Sequence, residues 1–347
     1  MKKIAALLTV YTVIALNTIA GASVVAYFSY STFNIPGKDP YVETYISVFG
    51  NTVRYKLNSN GKYQAEVEVS MLFLQHDSIK ASQKYILSSP EIADTSAKSM
   101  VNFIDQKRIP LKQGLYKMEL VVADKNNKQK PFVGNEEIVL SFPSNKIVFS
   151  DIELVESYSK ATTQSSLTKN GIDIVPYCSN FFPGNLSRIG FYAESYNAKS
   201  TLGDSSKFVF NYFIESYETK RMLAKFNKFS TQKSNPVNIL LAEFNIVDLP
   251  SGNYNLVIEV HDKANQLIAS RRAFFQRLNP NAKFDPQDLA NIATSGTFVA
   301  NFKSKDSLTD HVRSLRPIAS EAEKIFIDEQ IKTSTLEMMQ QYFYSAL

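Results

Sequence analysis

The side chains of this sequence that could do chemistry are three histidines, one cysteine and two aspartate turns. A histidine works as a general base only with a hydroxyl, thiol or water in hydrogen-bond reach, and as a metal ligand only with partners at suitable spacing. His76 lies just past a strand in Gln75-His76-Asp77-Ser78, His261 sits on an outward strand face beside a turn, and His311 lies in Thr309-Asp310-His311 near a helix. None has a nucleophile beside it in sequence, so all three read as surface or turn residues. Cys178, in Val175-Pro176-Tyr177-Cys178-Ser179-Asn180, has no His, Lys or Arg nearby to hold a thiolate. As the sole cysteine it makes no intrachain disulfide and is expected to be buried as a small hydrophobe. Asp124 and Asp262, each in an Asp-Lys-x-Asn segment, offer oxygens of the kind calcium takes, yet the adjoining Lys125 and Lys263 favour solvated turns. Gly-x-Ser-x-Gly, His-Glu-x-x-His and phosphate-cradling glycine loops do not occur. The sequence therefore assigns no catalytic, metal or cofactor-binding residue and points away from an enzyme. An active site would have to form in the long irregular stretch Ser157–Asn185 described below.

The whole composition bounds the alternatives. With 347 residues, 44% hydrophobic and 20% charged, the chain suits about two folded domains rather than a disordered or disulfide-stapled protein. The formal charge of +5 falls to +3 without Lys2 and Lys3, and the pairs Lys220-Arg221 and Arg271-Arg272 are short, so no nucleic-acid partner is implied. Eighteen Tyr and 24 Phe could stack on sugar rings, which makes a carbohydrate-binding accessory role the alternative to plain protein interaction, although Trp, the largest such face, is absent. Asn185-Leu186-Ser187 fits the N-glycosylation pattern, a match that reads as accidental.

Met1-Lys2-Lys3, the apolar run Ile4 to Ile19 and the small-x-small segment Ala20-Gly21-Ala22 form a secretory signal, with cleavage expected after Ala22. The competing reading is a retained anchor, because Val24 to Phe28 continues the apolar character. Asn17 and Gly21 interrupt the run short of the roughly 20 residues a spanning helix needs. Membrane contact is thus expected only through this segment, before cleavage.

From Tyr41 to Leu278 the hydrophobic period is two. Tyr63, Ala65, Val67, Val69, Met71 and Phe73 alternate with Gln64, Glu66, Glu68 and Ser70, the pattern of a half-buried strand. One strand occurs twice: Gly114-Leu115-Tyr116-Lys117-Met118-Glu119-Leu120-Val121-Val122-Ala123-Asp124 returns 138 residues later as Gly252-Asn253-Tyr254-Asn255-Leu256-Val257-Ile258-Glu259-Val260-His261-Asp262. A Gly, a Tyr two residues on and an inward-alternating strand is how a late strand of an immunoglobulin-like sandwich reads, with the Tyr hydroxyl tied back to main chain. The fold expected is mainly β: two tandem immunoglobulin-like β-sandwich domains, over residues 30–144 and 146–280, joined at Phe142-Pro143-Ser144-Asn145. Ser157–Asn185, with Pro176 and Pro183-Gly184, is expected to be a long irregular surface loop.

A short helical segment, 284–347, follows. Asp285-Pro286-Gln287-Asp288 is a helix start, and Ser320-Glu321-Ala322-Glu323 and Ser334-Thr335-Leu336-Glu337 match the capping box. Ala322, Ile325, Phe326 and Ile331, then Leu336, Met339, Tyr342 and Phe343, form apolar stripes that such a short helical pair cannot bury alone. Tyr344-Ser345-Ala346-Leu347 carries no stop signal, which reads as a truncated tail.

The export signal, two β-rich segments, Phe28-Ser29-Tyr30 before a Pro-Gly turn, and Leu315-Arg316-Pro317-Ile318-Ala319-Ser320 leading into an acidic and then an aromatic helix resemble the GWxTD-domain envelope proteins of Bacteroidota-type bacteria. The naming motif of that family would follow the last helix, beyond Leu347. The resemblance implies a periplasmic or outer-membrane-associated protein whose partner is another envelope protein, and it carries no biochemical role onto any residue.

Overall fold

A computed structural model of the chain describes residues 23–279, 282, 294–319 and 321–346. The signal segment with Ala22, the Asp285 helix start, Ser320 of the first capping box and Leu347 lie outside the described residues. Half-buried strands with alternating side chains can be stable only when two sheets face each other, and the chain does this twice.

The first sandwich uses β1 (Ala26–Phe33), β2 (Tyr41–Val48), β3 (Tyr55–Leu57), β4 (Tyr63–Gln75), β5 (Ser78–Ser88), β6 (Phe103–Pro110), β7 (Gly114–Asp124) and β8 (Phe132–Leu140). One sheet has the order β1-β2-β6 and the other β5-β4-β7-β8, with β3 on the start of β4. The second sandwich uses β9 (Val148–Phe149), β10 (Glu153–Lys160), β11 (Thr168–Lys169), β12 (Ile172–Pro176), β13 (Phe181–Phe182), β14 (Arg188–Tyr196), α1 (Ala198–Leu202), β15 (Lys207–Ser216), β16 (Met222–Lys233), β17 (Val237–Asn245), β18 (Gly252–His261) and β19 (Leu267–Arg277). Its sheets run β11-β12-β10-β14-β17 and β13-β19-β18-β15-β16. Within them β10-β14-β17 repeats β1-β2-β6, and β16-β15-β18-β19 repeats β5-β4-β7-β8. The chain is two immunoglobulin-like sandwiches of one plan. The sandwich expected from residue 30 takes its first strand from Ala26, and Val24 and Ala26 already lie in its core.

Alternation does what its period requires. Ala65, Val67, Val69, Met71 and Phe73 of β4 are fully buried against Met118, Leu120 and Val122 of β7, while the residues between them stay partly wet. The repeated Gly-x-Tyr strands occupy equivalent central places, β7 between β4 and β8 and β18 between β15 and β19. Their tyrosines act alike: Tyr116 donates to the Lys112 carbonyl at 3.0 Å and Tyr254 to the Pro250 carbonyl at 3.1 Å. Each hydroxyl thus pins the chain four residues upstream, where Leu111 and Leu249 enter the two cores. Gly252 is needed for close approach, since a Cβ there would stand 3.1 Å from the Tyr254 hydroxyl and 3.2 Å from its ring carbon Cζ.

The stretch Ser157–Asn185 corrects an expectation. It is not irregular: β10 continues to Lys160, and β11 and β12 fold back as a hairpin that widens the sheet. Strands of two residues leave no periodicity to read, and Pro176 closes β12 opposite a bulge between Val155 and Ser157. This hairpin is an insertion between β10 and β14, where the first sandwich has only residues 34–40.

The tail contains α2 (Lys305–Ser314), α3 (Glu321–Asp328) and α4 (Leu336–Ser345). The sequence pattern had not marked α2, which supplies Leu308 and Val312 to a core with Val299, Phe326, Ile331, Met339 and Tyr342. The α4 cap also shifts by one residue: Thr335, extended at φ −73° and ψ 161°, accepts from the Met338 amide at 3.2 Å, so the cap is Thr335 rather than Ser334. Among the described residues no helix is long and apolar enough to cross a membrane.

Removing either corner hydroxyl, by Tyr116→Phe or Tyr254→Phe, is expected to cost about 1 kcal/mol. Gly252→Ala should cost more, because it displaces a buried ring rather than deleting one bond. Urea unfolding of the variants checks both values.

Candidate functional site

The densest set of buried ionisable groups lies between the two sandwiches. Two strands announce it: β2 and β14 are covered on both faces, unlike the outer strands of either sheet. In β2, Val42, Ile46 and Val48 point into the first core, and in β14, Ile189, Phe191 and Ala193 point into the second. The alternate positions face the other sandwich, and there the sequence repeats again. Tyr41-Val42-Glu43-Thr44-Tyr45 opens β2, and the like-patterned Tyr192-Ala193-Glu194-Ser195-Tyr196 closes β14. The two sheets are therefore packed outer face on outer face, each presenting a Tyr-x-Glu-x-Tyr row.

The β11–β12 insertion drives a cation between them. The Lys169 ammonium stands 2.5 Å from Glu43 Oε1, pairs with Glu153 Oε2, and lies 3.4 Å from the Tyr45 hydroxyl. It sits 4.0 Å from the centre of the Phe33 ring and 5.2 Å from that of Tyr192. Lys169, Glu43 and Glu153 are each at most 5% exposed. The other Glu43 oxygen accepts from Arg108 Nε at 2.6 Å, and Gln106 Nε2 donates to Oε1 at 2.7 Å. Arg108 reaches across to the Ser166 and Thr168 carbonyls at 3.1 and 3.0 Å, tying β6 to the insertion.

Glu194 is held differently, by neutral donors. Tyr192 donates to Oε1 at 2.5 Å, Tyr196 to Oε2 at 2.6 Å, and Asn170 Nδ2 to Oε1 at 3.0 Å. The Tyr196 hydroxyl accepts in turn from the Asn34 amide of the first sandwich at 2.9 Å. Beside this network Asp151 accepts from the Thr32 amide and hydroxyl at 2.8 and 2.6 Å, and pairs with Arg271. Phe33, Val155, Ile174 and Tyr192 close a small apolar core across the joint. The connection itself is packed, with Phe142 edge-on to Tyr196 and Asn197 donating to the Pro143 and Lys146 carbonyls.

Burial sets the protonation. Glu153 is pushed up to about 7 by desolvation, with Lys169 pulling it back down and Glu43 pushing it up further. Its Oε1 has no hydrogen-bond partner among the described residues. Burial, then Glu153 and Glu43, raises Tyr45, and burial, then Glu194, raises Tyr192 and Tyr196, so these hydroxyls remain neutral donors. The buried part of the arrangement locks two sheets together, with its cations paired to its carboxylates. At its rim, Tyr41, Arg108, Asn170 and Glu194 line a cleft of about 420 Å³.

The residues singled out from sequence lie elsewhere. His76 and Asp77 form the left-handed turn between β4 and β5, His261 bonds Glu259 at 2.8 Å, and His311 packs edge-on to Phe302, so the structure brings no two of them together. Cys178 is buried, and burial followed by Glu156 and Glu153 pushes its thiol up to about 12. The Asp124 carboxylate accepts from the Asn126 and Arg54 amides, and that of Asp262 from the Ala264 and Gln266 amides. Asp262 closes its own turn, and Asp124 closes its turn and also ties it to the chain just before β3. Among the described residues no group of three His, Cys, Asp or Glu is placed to hold a metal ion. Lys169, Glu43, Glu153 and Glu194 gave no chemical motif in sequence; the repeated Tyr-x-Glu-x-Tyr was the available signal.

No known family profile matches the chain, and no curated protein matches it. Among solved structures it is similar to the fibronectin(III)-like modules of Clostridium thermocellum CbhA, at 11% identity and a TM-score of 0.18, over 76% of this chain and 92% of that one. It is also similar to a glycosyl hydrolase family 2 member from Bacteroides cellulosilyticus, at 10% identity and a TM-score of 0.23, over 67% of this chain and 26% of that one. The fold stands on the strand order above, not on these likenesses.

Lys169→Met should cost about 3–5 kcal/mol, because it strands two buried carboxylates. The pH response follows from Glu153. A carboxyl whose folded pKa of about 7 exceeds its ordinary 4.5 contributes stability below 4.5 that is lost as pH rises through 7. Glu153→Gln should flatten that slope and be neutral or stabilising at pH 8, which thermal unfolding at pH 5 and pH 8 measures.

Proposed function

We propose that the chain is a non-catalytic interaction protein of the bacterial cell envelope, exported through residues 1–22, whose paired sandwiches form a rigid scaffold for another envelope protein. The observation that carries this reading is the joint. A buried lysine shared by two carboxylates, Arg108 reaching across, and the packed Phe142 connection hold the sandwiches as one body. A fixed angle between modules is what a scaffold needs and what a flexible string of modules lacks. The export reading is supported at the start of the first sandwich. Ser23 bridges Lys130 and Val24 donates to the Lys130 carbonyl, so the apolar Val24–Phe28 serves a strand rather than an anchor. The layout resemblance to GWxTD-domain envelope proteins agrees with this placement and is part of the same proposal.

A contact surface suits the role. On the outer face of the β5-β4-β7-β8 sheet, Leu115 stands opposite Val139 and Val121 opposite Val133, all four exposed. The Lys117–Glu119 pair lies between them. An aliphatic patch with a charged waist matches a partner surface that is itself mixed. Photo-crosslinkers at residues 133 and 139, used on intact cells, should trap one reproducible envelope protein. The double variant Val133→Lys, Val139→Lys should abolish that product with melting unchanged. An undiminished product would refute this face, and no product from any exposed face would refute the scaffold reading.

A further inference from the structure

The cleft at the rim of the joint has the chemistry of a ligand site. It opens between the residues 34–41 connection and the end of β6 on one side and the β11–β12 insertion, Glu194 and Val237 on the other. At about 420 Å³ it lies within the size range of small-molecule sites and has room for a sugar ring with its hydroxyls. Pro36 and Pro110 stiffen the first-sandwich wall.

What remains unbonded there decides the ligand class. The cations are committed: Lys169 to Glu43 and Glu153, Arg108 to Glu43 and two carbonyls. An anionic ligand would meet the Asp39 and Glu194 carboxylates that line the cleft, and Lys169 is already held by two others, so the lining favours a neutral ligand. Of the four tyrosine hydroxyls in the two Tyr-x-Glu-x-Tyr rows, three donate to the glutamates. The fourth, Tyr41, has no hydrogen-bond partner among the described residues, and it lines the cleft. Its ring stacks on Phe33, with centroids 5.4 Å apart, and lines the cleft while only partly buried. Glu194 accepts three bonds where a carboxylate takes about four, so one acceptor position is unused. Asp39 and Gln164 add exposed polar groups at the mouth.

We infer that this cleft binds a neutral saccharide unit, its ring stacked on Tyr41 and its hydroxyls bonded to the Tyr41 hydroxyl and the free position of Glu194. A sugar offers an apolar ring face and hydroxyls that both donate and accept, the set that an aromatic face, one free hydroxyl and one free carboxylate position complement. Because both sandwiches line the cleft, occupancy would also tighten the joint. The inference does not rest on the scaffold reading, since a protein partner on the β7–β8 face and a sugar at the joint use different surfaces.

Saturation-transfer NMR and titration calorimetry with glucose, galactose, mannose and N-acetylglucosamine, and their disaccharides, test it on the full mature chain. At least one is expected to bind saturably in the millimolar range or tighter and to raise the melting temperature. Tyr41→Phe should weaken it about three- to tenfold with unchanged melting of the free protein. Gln164→Ala, at an exposed position outside the joint network, serves as a second variant expected to weaken binding without touching the fold. Absence of saturable binding by every sugar overturns the inference, as does affinity unchanged in both variants. Binding of spermidine or acetate in place of any sugar overturns it as well.

Discussion

One ammonium between two carboxylates holds this molecule in its form. A charge taken out of water costs several kcal/mol, and the pairs that Lys169 makes with Glu43 and Glu153 offset that cost. The three groups come from the first sandwich, the β11–β12 insertion and the opening strand of the second sandwich. Lys169 and Glu153 pair within the second sandwich and Glu43 with Arg108 within the first, so the Lys169–Glu43 pair is the link that crosses between them. The requirement to pair them therefore fixes where the second sandwich sits on the first. Everything at the joint follows from that constraint: Arg108 turned toward the Ser166 carbonyl, Asn34 reaching Tyr196, and Phe33 beneath the lysine.

The two sandwiches share a plan and diverge where the joint needs them to. Both keep the Tyr corner at the start of the central strand, whereas their Tyr-x-Glu-x-Tyr rows lie at opposite ends of β2 and β14. The two rows meet at the joint from those ends, the start of β2 and the end of β14, so the contact is not a symmetric one. The insertion widens the difference. It gives Glu43 a lysine and leaves Glu194 to neutral donors, and only the second sandwich carries it. The small connection of residues 34–40 in the first sandwich leaves an open volume at that place, which is why the cleft lies beside Tyr41.

The fold was legible where its signals were periodic. Alternation in β4 and the paired Gly-x-Tyr strands marked the sandwiches, because burial on one face imposes period two whatever lies on the other. The insertion was unreadable because its strands are two to five residues long and take their stability from β10 rather than from their own pattern. The α2 helix was missed because Lys305–Ser314 is polar but for Leu308 and Val312. The candidate site was hidden for a different reason. Its residues are ordinary strand tyrosines and glutamates, and a Glu between two Tyr reads as a solvated face until a second sheet covers it. Only the recurrence of that triplet could have shown that the wet face was not wet.

That ambiguity has a physical use. During synthesis the first sandwich is complete before the second exists, so the outer face of β2 meets water until β14 arrives. An aliphatic face there would expose a flat, sticky sheet to every other unfolded chain. Tyrosine and glutamate hydrate well enough to wait, yet Tyr45, Tyr192 and Tyr196 bury large rings and turn their hydroxyls onto carboxylates once the sheets meet. A buried charge network adds less stability than an apolar core of the same volume, and it is far less tolerant of a wrong partner. A joint that must form once, at one angle, between two sandwiches of the same design is better served by that intolerance than by extra stability.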